Sequence, residues 1–434
     1  MSRRSYFRWA LAGVAAAAFA VPAQAQQQAS TVNLGIVSFL TGPAAAPFGI
    51  PGRNGAEIVI EALNSGKAPA PYNTVGFGGS KITAKYVDEA GSAANTVTEY
   101  RNLVQRDHVD AVVGYVSSGS CLAVTPVAEE LKELTVFYDC GTPRIFEEKA
   151  RSYVFRVSPH ATMDNVGAAL YVLAKKKNLK SYSGINQNYA WGQDSWRDFV
   201  GAMKVLAPKV KVDKVLFPKV FAGEYGAEIS TLLTSRSTVL HTSFYDGDLE
   251  SFIYQEQARG LDKRMTIIMT TGEAAMARLR DKMPNGTIIG GRGQNGPLAP
   301  KSALNDWFQK IYTDRYNTPP TYPAYQVAQS LLGLKLAYEK AMKDAGGKKP
   351  TKEQIAAAFK GMEFDTPAGH IKMAIGHGHQ GISATAYGTY RFNKKTNTPE
   401  LVDIMRFPAE CVNPPPGVEA VQWIKDGMKG AKCK

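Results

Sequence analysis

Apolar positions recur along the chain in two alternating periods. Val32–Ser38, Ile82–Val87, Ala111–Val116 and Thr135–Tyr138 are β-prone apolar runs of strand length. Between them the spacing becomes helical. Ala56, Val59, Ile60 and Leu63 share one face, as do Val97, Tyr100 and Val104, and then Val124, Val127, Ala128 and Leu131. Leu40–Gly55 and Lys67–Ser80 are Gly/Pro-rich and are expected to be loops, and Thr96-Val97-Thr98-Glu99 predicts a capping box opening a helix to about Arg106. The pattern restarts after Tyr153–Ser158. Val166, Ala169, Leu170 and Leu173 mark one helix, and Trp196, Phe199, Val200 and Met203 another. Strands are expected at Lys180–Ile185, Val212–Phe217, Thr238–Ser243, Met265–Thr270 and Gly286–Gly291, followed by a long helix carrying Val327, Leu331, Leu334, Tyr338 and Ala341. Strand alternating with helix implies parallel sheets covered on both faces, and 434 residues suffice for two such α/β lobes.

Ala111–Ile145 places candidate chemistry on this frame. A strand leads into the small-residue turn Ser117–Ser120 and a helix. The next strand stops at Asp139-Cys140-Gly141-Thr142 before Pro143, which suits the first turn of a helix. Two neighbouring βα turns then face the same way. In open parallel sheets ligands sit outside the carboxyl ends of the strands, where helix amides and hydroxyls hold anionic groups. A binding site is expected there.

Ser38-Phe39-Leu40-Thr41-Gly42-Pro43, Asp88-Glu89-Ala90-Gly91, the Ala111–Ile145 stretch and Tyr153-Val154-Phe155-Arg156-Val157-Ser158-Pro159 follow one another in a telling order and spacing. From about Val32 to Arg391 the chain resembles the periplasmic solute-binding proteins of branched-chain amino-acid-type ABC importers. The resemblance implies a type I periplasmic binding protein: two Rossmann-like lobes joined by three crossings, near Ser158, Arg292–Gly296 and Gly376–Gln380. Residues 31–157 and 297–375 then form the first lobe, 158–291 and 381–410 the second, and 411–434 a tail. It also implies a function, capture of a small carboxylate-bearing solute between closing lobes, with a membrane permease as partner and no catalysis.

The resemblance further implies ligand contacts from Ser117, Ser118, Cys140 and Thr142, with Ser118 aligning best and Thr142 second. Asp139 stands where family members usually carry Ala or Gly. An ionised carboxylate there repels a ligand carboxylate, so Asp139 either turns away or binds a cation or a hydroxyl. From the second lobe the implied contacts are Tyr189 and Trp191, Tyr245 at a strand end, and Glu273 as partner of a ligand ammonium. Tyr115, Tyr138 and Phe48 with Tyr189 and Trp191 could form flat walls suited to an aromatic acid, although Tyr115 and Tyr138 at strand ends equally suit the core. The solute is therefore an apolar amino acid, an aromatic carboxylate or a small amide. A sensory subunit for a membrane receptor would use the same cleft.

Charge and targeting signals narrow the setting. The formal charge is +13, but the basic residues are scattered and no nucleic-acid module is recognisable, so a solvated surface is expected. Arg3, Arg4 and Arg8, the apolar run Ala10–Val21 and Ala23-Gln24-Ala25 read as an export signal cleaved near Ala25, by the general or the twin-arginine route. A soluble periplasmic monomer is expected. In an oxidising compartment the four cysteines favour disulfides, and of the three connectivities Cys121–Cys140 and Cys411–Cys433 suit the strand neighbours and the tail.

Two motifs invite other readings. Gly291-Arg292-Gly293-Gln294-Asn295-Gly296 matches GxGxxG, but Pro297 and Pro300 bound the next segment and no dinucleotide-binding helix opens, so a hinge is expected. His377-Gly378-His379 lacks a placed third ligand for a metal. No nucleophile, paired-carboxylate or zinc-protease motif is present, and no cofactor, metal or catalytic residue is assigned.

Overall fold

Each strand of the first run is followed by a helix that crosses back over the sheet, the connection that parallel pairing needs. The computed structural model describes Met1 and residues 31–433; the rest of the expected export signal lies outside the described residues. β1 (Val32–Ser38), β2 (Ile82–Asp88), β3 (Ala111–Gly114), β4 (Thr135–Phe137) and β5 (Val154–Arg156) pair in parallel. The chain then builds a second sheet from β6 (Ser181–Ile185), β7 (Lys211–Leu216), β8 (Val239–Thr242), β9 (Thr266–Met269) and β10 (Ile288–Gly290). It returns to the first with β11 (Glu363–Thr366), β12 (Gly369–Ile375) and β13 (Gln380–Ile382), and ends in the second with the antiparallel pair β14 (Thr385–Asn393) and β15 (Thr398–Phe407). The strand orders are β11-β12-β13-β5-β4-β3-β1-β2 and β15-β14-β10-β9-β8-β6-β7. Each lobe is thus assembled from separate stretches of chain.

The last crossing differs from the expected one. β13 pairs with β12 and, through Gln380, with Arg156 of β5, and the Gln380 amide also donates to the Ser158 carbonyl at 2.9 Å. Residues 376–380 therefore belong to the first lobe, and the chain changes sheets between Ile382 and Thr385. His379 is part of this first-lobe packing, stacked on Phe155 with its Nδ1 2.9 Å from the Val154 carbonyl.

Two helix starts also lie upstream of their expected places. Pro51, in the first turn, suits a helix at Ile50–Asn64 inside the expected loop 40–55, preceded by a π-type turn over Ala45–Gly49. Ser92 caps the helix Ala93–Gln105 by accepting the Asn95 amide at 3.2 Å, so the expected box at 96–99 lies inside the helix.

Strand alternation sends Ala111, Val113 and Val136 to the face covered by helices Ile50–Asn64 and Tyr322–Asp344, and Val112 and Phe137 to the other. In the second lobe the tail packs Trp423 and Ile424 among the same apolar residues as Trp196 and Met203 of helix Ala190–Leu206. Cys411–Cys433 ties the tail down with Cα atoms 4.5 Å apart, and Cys121–Cys140 joins the βα turns of the first lobe at 6.3 Å, which is the expected connectivity. Among the described residues no helix is long and apolar enough to cross a membrane.

Candidate functional site

The carboxyl ends of β3 and β4 face those of β6, β8, β9 and β10 across a cleft, and the turns following these strands line one pocket. Phe48, Val116, Asp139, Gly141 and Tyr322 come from the first lobe; Tyr189, Trp191, Tyr245 and Thr271 come from the second; Arg292 lies on the crossing after β10. Phe48 meets Tyr322 edge to face at 4.9 Å and reaches across to Tyr245 at 5.8 Å, while Tyr189 lies 6.4 Å from Tyr245. Trp191 is oriented by its indole N–H, which donates to the Ser243 carbonyl at 2.8 Å. Five rings supply apolar walls that can hold a flat body by stacking or edge contacts.

Arg292 is the cation among these lining residues. Its guanidinium lies over the Trp191 ring, 4.3 Å from the centroid. Nη2 donates to Asp139 Oδ1 at 2.6 Å and to the Pro159 carbonyl at 2.8 Å, and Nη1 donates to Asp164 Oδ2 at 2.9 Å. It therefore bridges a first-lobe carboxylate to one on helix Ala161–Lys175 of the second lobe. Burial pushes Asp139 up to about 6 and Asp164 up to about 7, against the pull of Arg292. The turn carrying Arg292 is held by Asn295, whose amide donates to the Gly291 and Arg292 carbonyls at 2.8 Å. Beneath the pocket, buried Arg156 fixes the 139–142 turn by donating to the carbonyls of Cys140 and of Thr142, the latter at 2.8 Å.

Asp139, Tyr189, Trp191 and Tyr245, expected at the site, all line the pocket, as does Phe48. Asp139 does not turn away; of the expected alternatives it binds a cation, and that cation is the Arg292 guanidinium. The other expected contacts lie elsewhere. The Val116 and Ser117 amides, at the helix start proposed to hold an anion, are bound at 2.7 and 2.8 Å by the buried carboxylate of Glu89. Ser118 Oγ accepts the Thr142 amide at 3.2 Å, and Thr142 Oγ1 donates to Asp194 Oδ2 of the second lobe at 2.6 Å. Cys140 is held in its disulfide on the far face of the sheet.

Tyr115 has left-handed backbone, φ 73°, which breaks the strand alternation and swings its ring to that far face against Phe137. Tyr138 is core, with its hydroxyl sharing a 2.7 Å hydrogen bond with Ser38 Oγ. Glu273 lies in a tight 3₁₀ turn, Gly272–Ala275, and caps helix Tyr322–Asp344 by accepting the Tyr322 amide at 2.8 Å. Thr271 lines the pocket in its place. Sequence reading missed Arg292, Asp164 and Tyr322. An arginine inside a glycine-rich turn directly after a strand was the available signal for Arg292, since such turns aim side chains at a strand-end cleft.

Two discontinuous α/β lobes with a pocket at their facing strand ends define a two-lobed binding protein of type I architecture. Residues 31–396 match the family model described as periplasmic binding protein, and the chain belongs to that family of solute-binding proteins, which are not enzymes. Solved structures share the fold. One is a solute-binding protein of an ABC transporter from Rhodopseudomonas palustris BisB5 in complex with 3,4-dihydroxybenzoic acid, 19% identical, covering 87% of this chain and 98% of that one, TM-score 0.73. Another, from R. palustris in complex with 4-hydroxybenzoate, is 18% identical over 88% and 98% of the chains, TM-score 0.75. The branched-chain amino acid transporter substrate-binding protein LivJ from Streptococcus pneumoniae in complex with isoleucine is 16% identical over 87% and 100%, TM-score 0.73. A search of the curated proteins finds no match to the chain.

Proposed function

We propose that this chain is the solute-binding component of an ABC importer and holds a small carboxylate with a flat apolar body between its lobes. The observation that carries the reading is the pocket itself: five rings from both lobes surround one guanidinium. The walls grip the body and Arg292 addresses the charge. The hydroxybenzoate complexes of two proteins with the same fold support this choice. A second reading, an apolar amino acid, is favoured by Asp139 in the lining, which would take the ammonium role expected of Glu273.

Thr142–Asp194, Phe48–Tyr245 and the Arg292 bridge all cross the cleft, so a solute that touches both lobes stabilises the closed form. In this reading the chain is exported, cleaved near Ala25, works as a periplasmic monomer and presents its closed form to a membrane permease.

Thermal unfolding of the mature chain with leucine, phenylalanine, benzoate and 4-hydroxybenzoate tests the solute. A native-state ligand at about 100 times its dissociation constant adds roughly 2.7 kcal/mol, a shift of several degrees. Benzoate and 4-hydroxybenzoate are expected to raise the midpoint. A rise with the amino acids alone would replace the aromatic reading by the second one.

A further inference from the structure

The pocket's charges are already balanced, which limits what can enter. Arg292 and Arg156 face Asp139 and Asp164, two cations against two anions when both acids are ionised. Arg156 offers the solute nothing, since its bonds go to the Cys140 and Thr142 carbonyls and to Gln380. The amides of the β3 turn are bound to Glu89. Arg292 is the cation among the lining residues, so a solute carboxylate that pairs with it enters as a third carboxylate in a cluster with two guanidinium groups. Asp164 Oδ1 is buried without a hydrogen-bond partner in the protein, so no protein donor compensates an added charge on that carboxylate oxygen. An uncompensated buried charge is costly enough that the group takes a proton instead, and neighbouring carboxylates share that proton as a pair. A zwitterion brings its own cation and needs no proton.

We propose that the pocket takes a solute carboxylate bearing no ammonium group, by exchange of Arg292 from Asp139 to the solute with uptake of one proton by the Asp139–Asp164 pair. This rests on the cleft being the solute site. The groups around the pair are accounted for. Glu89, Tyr189 and Tyr322 face Asp139, and the hydroxyl of Tyr387 reaches the Asp164 carbonyl at 2.7 Å. His160 is held neutral by burial, its pKa lowered to about 3, and supplies no proton near neutrality. Burial raises Glu89 to about 8, so it is the competing acceptor, and a variant separates the two.

The test is calorimetry of the mature chain with 4-hydroxybenzoate in phosphate and in Tris, whose ionisation enthalpies differ. Close to one proton per bound solute is expected at about pH 8, with affinity falling about tenfold per pH unit above it. Asp164→Asn is expected to abolish the uptake and Glu89→Gln to retain it; Asp139→Asn gives the same reading as Asp164→Asn if that variant does not fold. Binding of 4-hydroxybenzoate without proton uptake overturns the exchange and leaves the cleft as the solute site. Tight binding of phenylalanine or leucine without uptake, and none of 4-hydroxybenzoate, overturns the solute class. Loss of the uptake in Glu89→Gln alone would overturn the assignment to the Asp139–Asp164 pair.

Discussion

Replacing Arg292 with glutamine is expected to remove solute binding and to destabilise the protein. Truncating one partner of a buried charge pair costs about 2–5 kcal/mol of affinity, and leaving buried carboxylates unpaired costs about 3–5 kcal/mol of stability. Both losses meet at Arg292, because the same guanidinium bridges Asp139 and Asp164 and faces the pocket. The stability loss should depend on pH. Asp139 and Asp164 have folded pKa values of about 6 and about 7, above their ordinary 3.8. The folded state thus keeps protons that the unfolded chain has released, and the contribution of these groups falls as pH rises from 3.8 through those values. Without Arg292 the carboxyls are raised further, so the variant should be closest to the parent in acid and furthest from it above neutrality. Chemical denaturation across that range checks the slope. A variant as stable as the parent at alkaline pH would contradict the bridge.

Gly141→Ala is expected to weaken binding while sparing the separate lobes. A Cβ at Gly141 would overlap the Trp191 ring of the second lobe and the Arg292 guanidinium. Opening the cleft relieves the clash, so the penalty falls on the closed form. Overpacking of this kind costs about 1–3 kcal/mol, or roughly 10–100-fold in affinity. Calorimetric titration should show that loss with little change in the unfolding midpoint of the solute-free chain. Parent-like affinity would mean that the lobes do not meet at Gly141 when solute is bound.

The strand–helix alternation up to Gly291 was legible because those elements carry their own periods, and the expected strands all occur within a residue or two of their places, whereas β11–β15, which complete the two sheets, were not expected. Boundaries set by chain geometry were harder to read. Ser92 competed with Thr96 as a cap and won, and Gln380 is kept in the first lobe by Arg156, a contact 224 residues apart. At the site, Tyr189, Trp191 and Tyr245 were expected from the family resemblance, and each lies where a helix begins after a strand. Tyr115 misled because a single left-handed residue reverses the face of its side chain. Ser117 and Thr142 misled because their partners, Glu89 and Asp194, are set by tertiary packing, and Ser118 because its hydroxyl accepts the Thr142 amide. Glu273 misled because a 3₁₀ turn redirects it to a helix start that lies 49 residues on. Arg292 belongs to the same class of contact, since its two carboxylates lie 153 and 128 residues away in sequence.

Solute-driven closure is the claim on which the rest depends, and small-angle scattering measures it directly. The solute-free mature chain is expected to sample open forms, and a saturating aromatic carboxylate should draw it into the arrangement in which Thr142 meets Asp194 and Phe48 meets Tyr245. A smaller radius of gyration with 4-hydroxybenzoate is the predicted result. Superimposable curves with and without a solute shown by calorimetry to be bound would contradict closure.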